Sequence, residues 1–139
     1  MIKLLKEKGH TYEAEGATWF KATEFGADKD FVLVRSNGFP TYIVPDIAYH
    51  YDKLVTRGYD KAINVLGADH HGYVARMKAA LQAIGIDPSR LDVVLMQMVN
   101  LVRDGQIIKA SKRSGKAITL VTLLEEIPVD AARFYFNLR

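Results

Sequence analysis

Along this chain the apolar residues switch between two rhythms, and each switch marks a predicted element. Leu4 and Leu5 sit among lysines ahead of Gly9, the profile of a short helix stopped by glycine. β-Branched and aromatic residues then cluster at Thr18-Trp19-Phe20 and at Phe31-Val32-Leu33-Val34, and Ser36-Asn37-Gly38 supplies turn chemistry before Tyr42-Ile43-Val44. This first stretch predicts a small antiparallel β region, with Tyr42 to Val44 as a strand. From Pro45 the period lengthens: Ile47, Ala48, Tyr51, Leu54 and Val55 fall at helical spacing until Gly58, with proline suited to a first helical turn. Ile63 to Leu66 reads as a short buried strand ending at Gly67. His70 to Ile84 is helical by pattern and is stopped by Gly85 and Pro88, and Val93 to Met96 is a second buried strand. Strand, helix, strand implies a parallel βαβ unit. Asp104-Gly105 between apolar pairs predicts a hairpin. Thr119 can cap a helix carrying Leu120, Leu123, Leu124 and Ile127, and a last helix runs from about Val129 to Leu138.

Composition narrows the class. With 139 residues, 49% of them hydrophobic, the chain is large enough to bury a core. The 19 Lys plus Arg against 16 Asp plus Glu leave a net charge of +3, which permits a phosphate-rich partner without naming one. The absence of cysteine removes disulfides, thiolate zinc sites and cysteine nucleophiles together, and suits a reducing compartment. The longest nearly apolar run, Val93 to Val102, is broken by Gln97 and Asn100 and falls short of the roughly 20 residues of a membrane helix. Met1 to Gly9 lacks the apolar core of a signal peptide. A cytoplasmic protein with no membrane partner is expected.

Three segments carry candidate chemistry. Lys109 to Lys116 holds four cations in eight residues, interleaved with small residues that let a polyanion approach. A solvated loop and a phosphate site both fit, but a Walker A motif does not, because Ala117 and Ala110 occupy positions it requires to be Ser or Thr and Gly. Gly67-Ala68-Asp69-His70-His71-Gly72 follows a predicted strand and opens a helix, where α/β folds bind ligands. There a glycine admits a nucleotide close to the backbone, an aspartate accepts hydrogen bonds from a ribose, and a helix N-terminus favours anions. A plain turn with an aspartate cap reads equally well. The adjacent His70 and His71 diverge by about 100° around a helix, and neither His10 nor His50 completes a ligand set, so no metal is expected. Tyr42 and Asp46 flank a strand-to-helix junction. They serve either as a half-buried aromatic and a first-turn carboxylate, or as a phenol and a carboxylate facing one pocket able to pair with a guanidinium.

Taken in order, Tyr12-Glu13-Ala14-Glu15-Gly16-Ala17-Thr18-Trp19-Phe20, Pro45-Asp46-Ile47-Ala48-Tyr49-His50, Gly67-Ala68-Asp69-His70-His71-Gly72-Tyr73, Met98-Val99-Asn100-Leu101 and Lys109-Ala110-Ser111-Lys112-Arg113 resemble the arginyl-tRNA synthetase family of class I aminoacyl-tRNA synthetases. The resemblance covers nearly the whole chain and points to the C-terminal half of the catalytic domain. The fold it implies is α/β, the parallel-sheet half of a Rossmann-like nucleotide-binding fold with a small antiparallel β insertion. On that basis residues 1–44 are expected to be a connective-insertion-like β region, 45–127 the second half of the catalytic domain with a KMSKS-like loop at 109–113, and 128–139 the start of a helical tRNA-binding region.

The resemblance also implies roles. Lys109 and Lys112 match the two lysines of the KMSKS loop, which stabilise the pyrophosphate leaving group; Ala110 replaces its usual methionine and Arg113 its last serine. Gly67, Asp69, Met98, Val99, Ser111 and Lys112 are implied at ATP, and Tyr42, Asp46 and His70 at arginine, with Mg2+ accompanying ATP. The implied partners are L-arginine, ATP, tRNA(Arg) and an N-terminal half of the catalytic domain. The HIGH motif and an anticodon-binding domain are absent from this sequence, so a fragment inactive by itself is expected. Two alternatives stand beside this reading: a non-catalytic nucleotide- or tRNA-binding module, and another nucleotidyl transferase of the same superfamily.

Overall fold

A computed structural model describes residues 1–97, 99–107 and 119–138. They form two compact units, Met1–Met96 and Gln97–Arg139. The first begins with α1 (Ile2–Glu7), a short helix whose chain reverses at Gly9. A three-stranded antiparallel sheet follows, in the order β1 (Thr11–Ala14), β2 (Ala17–Phe20) and β3 (Phe31–Val34). The apolar pattern marks β2 and β3 but not β1, whose central Tyr12 and Glu13 are exposed. The legible signal for β1 was the turn: Glu15 and Gly16 both take positive φ, 54° and 71°, the handedness that matches the twist of a tight hairpin.

Tyr42 to Val44, expected as a strand, instead open α2 (Ile43–Tyr51), with Tyr42 as the residue before its first turn. The cause lies one residue earlier. Thr41 donates its backbone N–H to Leu33 O at 2.8 Å and its hydroxyl to Val32 O at 2.8 Å, ending the approach to β3. Pro45 then falls in the first turn, where a missing N–H costs nothing because helix-start donors have no intrahelical acceptor. Ile43 and Val44 are apolar because they pack against the core, not because they pair in a sheet. A wider π-type turn, Asp52–Thr56, extends α2 and lets Leu54 point inward.

The predicted βαβ unit is present, but its first strand is not the buried one expected, since Ile63 and Val65 are exposed. β4 (Ala62–Gly67) and β5 (Leu91–Met96) pair in parallel from Ala62↔Leu91 to Gly67↔Met96, joined through a 3₁₀ turn at Ala68–His70, α3 (His71–Ala83) and a second 3₁₀ turn at Pro88–Arg90. Arg90 fastens the entry to β5 by donating to Leu54 O at 2.9 Å in the π-type turn, and to Tyr59 O at 2.6 Å and Asp60 O at 3.0 Å in the loop ahead of β4. Leu5, Phe20 and Leu33 from the N-terminal elements share one core with Ile47, Leu54, Met77, Leu81 and Leu91. Phe20 meets Phe31 edge to face at 5.2 Å. Each such fully buried side chain contributes about 1.5 to 3 kcal/mol, so the antiparallel sheet and the βαβ unit stand or fall together.

In the second unit, β6 (Val102–Arg103) and β7 (Gln106–Ile107) form the expected hairpin about Asp104-Gly105, at φ 51° and 74°. Thr119 caps α4 (Leu120–Glu126) by accepting from the Thr122 N–H at 3.2 Å, and α5 (Val129–Asn137) follows. Arg103 pairs with Glu126. Among the described residues, no helix is long and apolar enough to cross a membrane.

Candidate functional site

A cleft of about 460 Å³ opens in the first unit between the start of α2, the end of β4 and the start of α3. Its polar lining comes from a stripe on α2 and its approach, Tyr42, Asp46, Tyr49, His50 and Lys53, spaced so that one helical face carries them all. Asn64 on β4, His70 after it, and Tyr73 and Arg76 on α3 complete the wall. The cleft therefore brings His70 to Tyr42 and Asp46, which lie one helical turn apart at the start of α2.

Tyr42 is 85% exposed. It is neither half-buried nor in a strand, and its phenol is available to a ligand. Asp46 is in the first helical turn but caps nothing with its side chain. Its charge is felt across the cleft: burial first, then the neighbouring Asp46 carboxylate, push the Tyr73 phenol up to about 12. Tyr73 thus stays protonated at neutral pH and can donate toward the carboxylate.

His50 is only 3% exposed and uses both ring nitrogens. Nδ1 lies 2.8 Å from Asp46 O, and since a carbonyl only accepts, Nδ1 carries the proton. Nε2 then accepts from Asn64 Nδ2 at 2.8 Å, while Asn64 Oδ1 accepts from Lys53 Nζ at 3.3 Å. Burial lowers the His50 pKa against the pull of the Asp46 carbonyl, so the ring is neutral. Burial likewise lowers that of Lys53, whose ammonium sits 4.5 Å from the Tyr49 ring centroid. The sequence names His50 only as a residue that completes no metal set, and it does not single out Asn64, Lys53 or Arg76. The polar stripe at 42, 46, 49, 50 and 53 was the signal that could have found those on α2.

At the rim, Gly67 and Asp69 are in mutual contact. A Cβ on Gly67 would stand 2.5 Å from Asp69 Oδ1, so this position tolerates no side chain while the carboxylate keeps its place. Asp69 makes no capping hydrogen bond, its side chain is 80% exposed, and its Oδ2 lies 3.8 Å from His70 Nε2. An exposed carboxylate therefore stands at the carboxyl end of a parallel strand, just ahead of the N-terminus of α3, a combination suited to a ribose beside an anion. Val99 is 39% exposed and belongs to the second unit. Met98, Lys109, Ser111 and Lys112 lie outside the described residues. Among the described residues no three His, Asp or Glu side chains converge to hold a metal ion.

A family model described as the catalytic domain of class I tRNA synthetases (R) matches residues 1–134. An arginine–tRNA ligase of Caldanaerobacter subterraneus is 65% identical over 139 residues, all of this chain and 25% of that protein. One from Acetivibrio thermocellus is 58% identical over 136 residues, 98% of this chain and 24% of that protein. The chain thus spans about a quarter of the length of the curated relatives it matches. Among solved structures, an arginyl tRNA synthetase structure from Campylobacter jejuni superposes with a TM-score of 0.83 at 44% identity, covering 97% of this chain and 29% of that one. The Thermus thermophilus arginyl-tRNA synthetase superposes with a TM-score of 0.71 at 24% identity over 90% of this chain and 26% of its own, a likeness of fold.

Proposed function

The chain belongs to the family of class I tRNA synthetase (R) catalytic domains, and from that premise we propose that it is the segment of an arginine–tRNA ligase that binds arginine and part of ATP. The observation that carries the reading is the meeting of Tyr42, Asp46 and His70 in one cleft beside the Gly67 and Asp69 rim. Arginine stays protonated at physiological pH, so its side chain calls for an anion. The Asp46 carboxylate can accept two parallel guanidinium hydrogen bonds, the Tyr42 hydroxyl a third, and His70 reaches the rest of the amino acid. Gly67 and Asp69 take the ATP ribose, and Met98 and Val99 the adenine. Lys109, Ser111 and Lys112 supply positive charge and hydrogen bonds to the phosphates, with Mg2+ arriving on ATP.

In this reading an arginine carboxylate oxygen attacks the α-phosphorus and pyrophosphate leaves. The terminal ribose hydroxyl of tRNA(Arg) then attacks the adenylate carbonyl, and AMP leaves. Positioning and charge stabilisation dominate such chemistry, because no side chain is bonded to the substrate along the way. Residues 1–44 would serve as the connective region, 45–127 as the catalytic half and 128–139 as the entry to tRNA-binding helices, within a cytoplasmic enzyme whose remaining catalytic half closes the phosphate site.

The test is calorimetric titration of L-arginine and, separately, of a non-hydrolysable ATP analogue into the protein, with Asp46→Asn as the variant. Loss of arginine binding with ATP binding retained supports the assignment. Unchanged arginine affinity together with lowered thermal stability would reduce Asp46 to a helix-start carboxylate.

A further inference from the structure

We propose that His50 is a positioning residue that holds the start of α2 against β4 and so fixes where the Asp46 carboxylate stands in the cleft. The inference deepens the guanidinium-site reading and rests on it. The hydrogen bonds around His50 run in one direction only. The Asp46 carbonyl obliges Nδ1 to donate, a neutral imidazole has no second proton, and Nε2 must therefore accept from Asn64. Asn64 is oriented in turn, because its oxygen receives the Lys53 ammonium. The donor chain thus passes from Lys53 to Asn64 to His50 to Asp46, leaving α2, touching β4 and returning to the first turn of α2. An apolar side chain would fill the same buried space, but it would leave helix and strand free to slide, since packing lacks direction and hydrogen bonds have it. Asn64 also stands on the strand that ends at Gly67, so the same contact ties the amino-acid side of the cleft to the proposed nucleotide rim.

Two measurements test this. A long-range proton–nitrogen correlation spectrum of the chain reads the His50 tautomer directly: the Nδ1–H form is expected, and an Nε2–H form overturns the proposal. Steady-state kinetics in a full-length ligase carrying this chain then compare His50→Phe with His50→Gln, whose amide offers one donor and one acceptor. The loss of buried hydrogen bonds in His50→Phe is expected to raise the arginine KM about tenfold while the ATP KM moves by less than about twofold. His50→Gln is expected to recover most of the difference. A proportional rise of both KM values, or no rise in the arginine KM, overturns the positioning role. Should His50→Phe fail to fold, the tautomer and the arginine KM of Asn64→Ala, expected to rise alone, decide the matter. Asp46→Asn is measured in parallel: an unchanged arginine KM there sinks the guanidinium reading itself, whereas a raised one with His50→Phe unaffected sinks only the present proposal.

Discussion

Replacing Gly67 by alanine isolates what a missing side chain does at this site. The backbone there, at φ −65° and ψ 153°, suits any residue, so the substitution carries no conformational strain. The obstacle is the Asp69 carboxylate, 2.5 Å from the new Cβ, which must retreat by roughly 0.9 Å to reach an ordinary contact. Asp69 can swing outward into solvent at a rotamer cost of about 0.5 to 1.5 kcal/mol. Reduced freedom of the unfolded chain offsets this by about 0.4 to 1 kcal/mol. Thermal stability should therefore change little. ATP binding should not be spared, because a displaced carboxylate forfeits a charge-assisted hydrogen bond worth about 1.5 to 3 kcal/mol, or roughly 10- to 100-fold in affinity. Calorimetric titration with a non-hydrolysable ATP analogue, run through the cycle of Gly67→Ala, Asp69→Ala and the double variant, checks the cause. With Asp69 already removed, Gly67→Ala should cost much less than it does beside the carboxylate. An equal penalty in both backgrounds would refute the steric argument and show the ligand itself lying against the glycine backbone.

Asp46→Asn should weaken arginine binding by about 1.5 to 3 kcal/mol and spare ATP, whereas Tyr42→Phe, which deletes one neutral hydroxyl, should cost about 1 kcal/mol or less; the titrations above separate the two. In a full-length ligase, Lys112→Ala should raise the barrier to adenylate formation by about 2 to 4 kcal/mol with arginine affinity nearly unchanged, as expected of a contact made in the transition state; single-turnover kinetics decide it. Because burial holds the folded-state pKa of His50 below its ordinary value, the unfolded chain takes up a proton that the folded chain refuses. Its share of stability is complete above about pH 6.5 and falls as the pH drops below that. Denaturant titrations between about pH 7.5 and 5.5 should show a downward slope that flattens in His50→Gln.

The βαβ unit and the Asp104-Gly105 hairpin were legible because each rests on a local signal: a period of apolar residues, a stop, a turn with forced handedness. What escaped was decided by tertiary partners. Tyr42 to Val44 carry strand-like residues, yet the hydrogen bonds of Thr41 to Val32 and Leu33 close the sheet before them, and a helix start is then the remaining way to pack Ile43 and Val44 on the core. The helical period places both Leu54 and Val55 on the apolar face, but across the π-type turn after Tyr51 Leu54 is buried and Val55 is left exposed. Tyr42 and Asp46 could be nominated from sequence because their chemistry is suggestive by itself. Asn64, Tyr73 and Arg76 could not, since each reads as an ordinary strand or helix residue until the fold brings it to the cleft.

Those tertiary contacts also explain why an antiparallel sheet belongs beside a nucleotide-binding half fold. The cleft depends on α2, a helix with apolar residues on one side and a polar stripe on the other, and such a helix is held only as well as its ends are. The residue ahead of its start, Thr41, is tied to β3, its last turn to β4 through His50 and Asn64, and the π-type turn that extends it to the entry of β5 through Arg90 and Leu54 O. Phe20, Leu33 and Ile47 fill one core between the sheet and the helix. Truncating Phe20 would remove about 3 to 5 kcal/mol from that core, and the loss would fall on the support of the Tyr42 and Asp46 turn although no atom of Phe20 lines the cleft. The small sheet is thus part of what gives the site its geometry, and the polar stripe can present a carboxylate to a ligand because everything behind it is fixed.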